Sequence, residues 1–111
     1  MAGIETEISR LQSKDVKVKR RAVRHLFEAD VPSALKGFIP LLTDEDIWFR
    51  TKSLEAHRRW ASTPSDLAPL MDNEQRLVGE LLSKIDAPEL AIELLENPDS
   101  VTRSFAAKSL S

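Results

Sequence analysis

The sequence predicts an all-α fold, an α-solenoid or right-handed superhelix of about four helical hairpins. The main observation is an acidic residue that recurs four times, each time after one short apolar helix pattern and before another: Asp15, Asp46, Glu74 and Asp99. Successive acids are 31, 28 and 25 residues apart, and self-similarity at such a period is typical of stacked helical repeats. Composition agrees, because only three of the 111 residues are glycine and 41% are hydrophobic, which suits helices better than strands.

The first hairpin is predicted over residues 4–29. Apolar residues recur at helical spacing over about residues 4–12, which indicates its first helix. A short polar turn follows and ends at Asp15, a residue type that commonly caps the start of a helix. The second helix of the hairpin is therefore predicted over residues 16–29.

The second hairpin is predicted over residues 32–61. Pro32 suits the first turn of its first helix, since proline is already fixed at a helical φ angle. Pro40 is expected to kink that helix, because proline removes one backbone hydrogen bond. An acidic turn that ends at Asp46 then leads into the second helix, over residues 47–61.

The third and fourth hairpins are predicted over residues 66–85 and 88–111. A loop rich in serine, threonine and proline precedes the third hairpin. Its first helix is short and contains Pro69, and its second helix is predicted over residues 74–85. In the fourth hairpin, Asp99 or the serine after it caps the last helix, which runs to the end of the sequence.

Helical periodicity also predicts the core. Placing residues at 100° per step defines a buried seam on each second helix, with His25 and Ala29 on the seam side of the first one. The residues expected to be mostly buried are Val18, Ala22, Leu26, Ile39, Leu42, Phe49, Ser53, Leu77, Leu81, Ile85, Leu95, Ala106 and Leu110.

Several short motifs resemble HEAT repeats of the short bacterial and archaeal type, the kind found in bilin (PBS) lyases. They are Leu41-Leu42-Thr43-Asp44, Leu94-Leu95-Glu96-Asn97, and the pairs Val18-Lys19, Phe49-Arg50 and Thr102-Arg103. The resemblance implies an armadillo-type helical-repeat scaffold that spans residues 1–111 as a single domain. It also implies that the second helices of the hairpins line a concave surface. HEAT motifs identify a fold and say little about function.

A basic and aromatic stripe is expected on that surface, because the residues concerned face away from the buried seam. The candidate partner-binding residues are Lys17, Arg20, Arg21, Arg24, Trp48, Lys52 and Arg59. Tryptophan and arginine are enriched in the residues that dominate binding energy. Two alternatives stay open: the charged residues form a solvated helix face, or Trp48 packs under the acidic turn before it.

The last helix is unusually apolar for the end of a repeat array. Terminal repeats normally present a polar outer face, but Val101 and Phe105 fall on the predicted exposed side of this helix. A contact with a second copy of the chain or with a partner is therefore expected there. The alternative is that both side chains seal the end of the core.

Charge is distributed unevenly along the sequence. Residues 1–60 hold twelve Lys/Arg against nine Asp/Glu, a balance of +3, and residues 61–111 hold four against nine, a balance of −5. The basic half favours a protein partner, which could itself be acidic. Nucleic acid is the alternative partner, although the sequence pI of about 5.7 lacks the usual basic footprint.

Catalysis has little support in the sequence. There is no cysteine, no glycine-rich phosphate loop and no assignable Ser/His/Asp set. The two histidines lack the His-Glu pairs with which a HEAT-like hydroxylase holds iron. We therefore expect a non-enzymatic adaptor or scaffold without metal or cofactor.

The sequence also has no apolar run long enough for a membrane span and no signal-peptide pattern, so the expected location is the cytoplasm.

Overall fold

The computed structural model describes residues 3–111, so Met1 and Ala2 lie outside the described part of the chain. The described residues form eight α-helices and three short 3-10 helices, and they contain no strand. This confirms the predicted all-α class. None of these helices is both long enough and apolar enough to cross a membrane.

The chain divides into two compact units, residues 1–60 and residues 61–111. Each unit contains two of the predicted hairpins to within one residue. The same boundary separates the half of the sequence with a charge balance of +3 from the half with a balance of −5. The superhelical arrangement of the four hairpins and the single repeat domain stay predictions.

The first unit alternates long helices with short helical turns. Its elements are α1 (Ile4–Arg10), α2 (Val16–Ala29), a 3-10 turn (Pro32–Ala34), α3 (Leu35–Phe38), a 3-10 segment (Ile39–Thr43) and α4 (Ile47–Trp60). The bounds of α2 are as predicted, and α4 ends one residue early. The expected kinked helix between them is instead the four-residue α3 flanked by 3-10 turns. Pro40 lies in the second of these turns, where it cannot donate a backbone hydrogen bond.

The core of the first unit combines one face each of α2, α3 and α4. The predicted side chains Ala22, Leu26, Phe49 and Ser53 are buried, and Val18 is half-buried.

The prediction was wrong for the segment that precedes α4. Ile39 is 39% exposed and Leu42 is half-buried, whereas Leu35, Phe38 and Leu41 are buried. Leu41 lies in the 3-10 segment Ile39–Thr43. Because a 3-10 helix has three residues per turn, Leu41 continues the buried face of Phe38, and positions 39 and 42 fall off that face.

Two residues of α2 assigned to the seam side are exposed instead. Ala29 is the last residue of α2, and the chain turns away directly after it. The imidazole of His25 lies at the surface, with its Nδ1 atom 3.0 Å from Oε2 of Glu7 on α1. The seam of α2 is thus narrower than predicted towards its C-terminus.

The turn before α4 is held by side chains at fixed positions around its acid. The Asp46 backbone N–H donates to Oδ1 of Asp44 (2.8 Å), and the Trp48 N–H donates to Oδ1 of Asp46 (2.9 Å). The Arg50 guanidinium then reaches back to the carbonyl oxygens of Asp44 (2.6 Å) and Glu45 (3.0 Å). Asp46 therefore caps α4 as predicted.

The turn before the last helix of the chain repeats most of this hydrogen bonding, except that its acid accepts from the backbone N–H three residues later instead of two. The Asp99 N–H donates to Oδ1 of Asn97 (2.8 Å), and the Thr102 N–H donates to Oδ2 of Asp99 (3.1 Å). Arg103, four residues after the acid like Arg50, donates to the carbonyl oxygens of Asn97 (2.9 Å) and Pro98 (2.8 Å). The sequence pattern thus corresponds to a repeated local structure.

The other two acids follow this pattern to different degrees. Asp15 caps α2 by accepting from the Lys17 N–H (2.9 Å), and its own N–H donates to Oγ of Ser13 (3.1 Å). Glu74 makes no side-chain cap, and buried Val78 stands where the repeat has a basic residue. The longer side chain of glutamate is a poor substitute for aspartate at a helix start.

The second unit consists of shorter helices. Its elements are α5 (Pro64–Leu67), a 3-10 turn (Ala68–Leu70), α6 (Gln75–Leu81), α7 (Pro88–Leu94) and α8 (Ser100–Leu110). α6 ends four residues before the predicted bound, and the chain continues as turns up to the buried Ile85.

The core of the second unit contains most of the residues predicted for it. Leu77, Leu81 and Ala106 are buried. The prediction was wrong for Leu95 (38% exposed) and Leu110 (40% exposed). Leu95 directly follows α7, and Leu110 is the last residue of α8, so both stand at helix ends where fewer neighbours can cover them.

Candidate partner-binding surface

Basic and aromatic side chains from α2 and α4 meet on one surface of the first unit. On α2 they stand at spacings of four and seven residues, and on α4 at spacings of four and eleven. Residues at such spacings share a helix face. We call this surface the aromatic–basic stripe and define it by Arg20, Arg24, Phe27, Trp48, Lys52 and Arg59.

Trp48 lies within reach of three of the cations. Its ring centroid is 5.4 Å from the Arg20 guanidinium carbon, 5.7 Å from that of Arg24, and 5.6 Å from Nζ of Lys52. The ring also meets Phe49 edge to face, with centroids 5.1 Å apart. Cation–π contacts at exposed sites contribute about 0.5–1 kcal/mol each. Together these contacts hold a half-buried tryptophan at the surface.

Lys52 connects Trp48 to a second aromatic group. Its Nζ atom is also 5.6 Å from the ring centroid of Phe27. Phe27 stacks on the buried Trp60, with centroids 5.0 Å apart and planes inclined by 22°. The Arg59 guanidinium carbon lies 5.5 Å from the Phe27 ring. Cations and rings thus alternate along the whole stripe.

Asp30 fixes the end of the stripe. It follows α2 in the left-handed region, with φ of 53°, and is the one described non-glycine residue with positive φ. Its Oδ1 atom accepts a hydrogen bond from Nε1 of Trp60 (2.7 Å) and lies 3.6 Å from Nε of Arg59. Asp30 therefore ties the C-terminus of α2 to the C-terminus of α4.

The cations of the stripe are incompletely neutralised. Nη2 of Arg20 lies 3.5 Å from Oδ2 of Asp46, and Nζ of Lys52 lies 3.5 Å from Oε2 of Glu55. Both are long contacts between partly exposed side chains, a kind of ion pair that contributes little to stability. Arg24 is exposed and forms no ion pair with any carboxylate of residues 3–111. The stripe therefore keeps unused capacity to bind an anion.

Two residues of the predicted set do not contact the stripe. Lys17 is exposed at the first turn of α2, and Arg21 is exposed beside a shallow recess lined by Glu7 and Arg10. In that recess partial burial raises the pKa of Glu7, but hydrogen bonds from Arg10 and His25 outweigh burial and leave the pKa below its ordinary value. Arg21 thus belongs to a different surface, on the side of α1.

Phe27 and Asp30 were missed by the sequence prediction. Phe27 follows Arg20 by seven residues and Arg24 by three, which places it on the same helix face. This spacing was a usable signal for Phe27. No local pattern indicates that Asp30 accepts from Trp60, because the two residues are thirty positions apart.

In the second unit, Phe105 packs against Gly79 of α6. A Cβ atom added to Gly79 would lie 3.1 Å from Cβ of Phe105, so the missing side chain allows the close approach. Phe105 is consequently half-buried, while Val101 stays 37% exposed. A groove of about 480 Å³ runs beside this contact, lined partly by Leu82 and Lys108. A self-contact or partner contact through Val101 and Phe105 stays a prediction.

Neither histidine belongs to a cluster of metal-binding groups, and residues 3–111 contain no group of three or more His, Asp or Glu side chains that could hold a metal ion. His25 faces Glu7, and the Nδ1 atom of buried His57 lies 2.7 Å from the carbonyl oxygen of Ser53.

Comparison of the chain with protein-family models, with curated proteins and with solved structures gives no match. The function is therefore inferred from the geometry of the chain itself.

Proposed function

We propose that this chain is a small HEAT-like adaptor that binds a protein partner through the aromatic–basic stripe without catalysing a reaction. The observation that carries the proposal is the position of Trp48, half-buried among Arg20, Arg24 and Lys52. Cation contacts hold the ring in place before binding, so the Trp48 side chain loses less conformational freedom when a partner binds. Tryptophan and arginine are both enriched in binding hot spots.

The HEAT-like part of the proposal is supported by the repeated turns. In the turns that precede α4 and α8, a polar residue, an acid and an arginine occupy the same relative positions and make the same backbone hydrogen bonds. The resemblance of these motifs to HEAT repeats suggests that the hairpins stack as an array, with α2 and α4 on its concave side. Concave repeat surfaces are commonly used to bind extended partners.

Nucleic acid is the second candidate partner, because Arg24 has no ion pair within residues 3–111 and α2 also exposes Lys17 and Arg21 outside the stripe. Aromatic rings beside cations also occur where proteins bind single strands. Against nucleic acid, the carboxylates of Asp46 and Glu55 lie beside Arg20 and Lys52 and would repel a continuous row of phosphates.

The test is affinity capture from an extract of the source cells, with and without nuclease treatment. We compare the wild-type chain with Trp48→Ala and, as a matched control on the same helix, Ile47→Ala, whose side chain is 67% exposed. Trp48→Ala is expected to weaken binding of the captured protein by about 2 kcal/mol, or roughly 30-fold. Ile47→Ala should change the affinity less than threefold, about 0.7 kcal/mol.

Trp48→Ala also removes cation–π contacts and the contact with Phe49, so its stability must be measured in parallel. We expect a loss of about 1–3 kcal/mol from these contacts and a variant that is still folded by circular dichroism. If a folded Trp48→Ala variant retains every protein that the wild type captures, the stripe is not the binding surface. If nuclease treatment releases all captured protein, nucleic acid is the direct partner.

A further inference from the structure

We propose that the aromatic–basic stripe recognises an acidic segment of its protein partner, with a carboxylate bound at Arg24 and an apolar side chain resting on Trp48. This inference rests on the proposed function and deepens it, because it specifies the chemistry of the partner. Its basis is the set of cations that the stripe leaves without close carboxylate partners.

Arg24 is the centre of the inferred site. Its guanidinium carbon lies 5.7 Å from the Trp48 ring centroid, and no carboxylate of residues 3–111 pairs with it. The side chain is exposed, so its planar group is positioned by the ring while its N–H donors face solvent. Such a fork fits a carboxylate through two parallel hydrogen bonds.

Arg20 adds further unused donors next to Arg24. Its contact with Asp46 is long, at 3.5 Å, and its buried Nε atom has no hydrogen-bond partner among the described residues. The guanidinium carbon also lies 5.4 Å from the centroid of the Trp48 ring. A carboxylate supplied by a partner can pair with Arg20 at small cost, because the existing ion pair is weak.

The remaining cations extend the site along the stripe. Lys52 and Arg59 form long ion pairs, with Glu55 at 3.5 Å and Asp30 at 3.6 Å. Three of the four cations thus have a carboxylate within 3.5–3.6 Å, which disfavours a ligand with an unbroken row of negative charges and favours one with separated charges and apolar side chains between them. A peptide with spaced Glu or Asp residues has that pattern, whereas a nucleic acid presents a phosphate at every nucleotide and gains affinity from many phosphate contacts.

The experiment measures binding of defined probes by fluorescence anisotropy at low and at physiological salt. The probe is a labelled, unstructured 12-residue peptide with six glutamates spaced around two central leucines. The comparison probes are the same peptide with glutamine in place of glutamate and a 12-nucleotide single-stranded oligo-dT. The full chain is used throughout, as wild type, Arg24→Glu, Trp48→Ala and the control Lys36→Glu, which reverses an exposed charge on α3.

We expect the glutamate peptide to bind at least tenfold more tightly than the glutamine peptide and than oligo-dT, with an affinity that falls as salt rises. Arg24→Glu should weaken that binding at least tenfold, and Lys36→Glu should change it less than twofold. Equal binding of the glutamate and glutamine peptides, or equal effects of the Arg24 and Lys36 reversals, would overturn the inference. Tighter binding of oligo-dT would assign the stripe to nucleic acid instead.

Failure of this inference and failure of the proposed function give different binding results for the Trp48→Ala and Arg24→Glu variants. If Trp48→Ala loses the protein captured from extract while Arg24→Glu keeps it with unchanged affinity, the stripe is a binding surface for a partner that is not acidic. If both variants keep the captured protein, the proposed function fails together with the inference. Sedimentation of the wild-type chain is measured over a range of concentrations. A sedimentation coefficient that does not change with concentration excludes occupancy of the stripe by the acidic half of a second copy.

Discussion

Asp30 combines an unusual backbone conformation with a hydrogen bond between two helix ends, and substitutions at this position separate the two contributions to stability. Its φ of 53° is accessible to glycine, asparagine and aspartate but costs alanine about 1–2 kcal/mol. Its Oδ1 atom accepts from the Trp60 indole N–H at 2.7 Å, and Trp60 is 6% exposed. Removing the acceptor leaves a poorly solvated donor, at a cost of about 1–3 kcal/mol.

Three substitutions at Asp30 follow from these magnitudes. Asp30→Asn keeps both an acceptor and a tolerated conformation and loses the long, exposed pair with Arg59, so it should cost less than about 1 kcal/mol. Asp30→Gly keeps the conformation and loses the acceptor, for a loss of about 1–3 kcal/mol. Asp30→Ala loses both and should be less stable than the glycine variant by about 1 kcal/mol.

The assay is equilibrium unfolding in urea followed by tryptophan fluorescence. Trp48 and Trp60 both lie in the first unit, so the fluorescence change reports on the unit that contains Asp30. Midpoints are converted to free energies only where the slopes of the transitions agree between variants. If the asparagine, glycine and alanine variants unfold within 0.5 kcal/mol of one another, then neither the hydrogen bond nor the backbone conformation contributes as argued.

The other two predictions concern the second unit and the acid stability of the first. Alanine is more favourable than glycine inside a helix by about 1 kcal/mol, but Gly79→Ala should destabilise the chain, because the new Cβ would lie 3.1 Å from Cβ of Phe105. In a Phe105→Ala background the same change should be neutral or stabilising. A loss of equal size in both backgrounds would contradict this explanation. The hydrogen bond from Lys19 lowers the pKa of Asp44 despite its partial burial. The unfolded chain therefore binds the proton more readily, so the stabilisation is complete above about pH 4 and is lost as the pH falls through the lower folded-state pKa. In Asp44→Asn, the free energy of unfolding measured in urea should accordingly fall less steeply below about pH 4 than in the wild type. The same pH dependence in both proteins would refute the role given to Asp44.

Local turn chemistry was the part of the fold most accessible from the sequence. The sequence predicted Asp15 as a cap, a capping turn that ends at Asp46, and either Asp99 or the serine after it as the cap of the last helix, because short polar side chains can accept from the first backbone N–H groups of a helix. All three aspartates do so. The failure at Glu74 follows from the same chemistry. The burial predicted around Pro40 was wrong because the chain changes there from an α-helix to a 3-10 helix with three residues per turn, which places Leu41 on the buried face in place of Ile39 and Leu42.

Sequence periodicity indicated part of the membership of the stripe but none of its pairings. Helical spacing placed Arg20 and Arg24 on one face of α2, and Trp48 and Lys52 on one face of α4. Which cation would lie over which ring, and that Arg21 would face α1 instead, depends on how the helices pack. Pairs such as Trp60 with Asp30 join positions thirty residues apart, and no period within one helix encodes them.

Substitutions in the stripe differ in whether they can change the affinity for a partner without changing the stability of the fold. Trp48 contacts Phe49 of the core, so its removal affects stability as well as any partner. Phe27 stacks on buried Trp60, and Arg59 approaches Asp30, so both belong to the framework that joins α2 to α4. Arg24 differs from these residues, because its contact with the Trp48 ring is exposed and it has no ion pair within residues 3–111. A charge reversal at Arg24 should therefore change the affinity for an acidic partner with little change in the free energy of unfolding, which makes it the most direct measure of what the stripe binds.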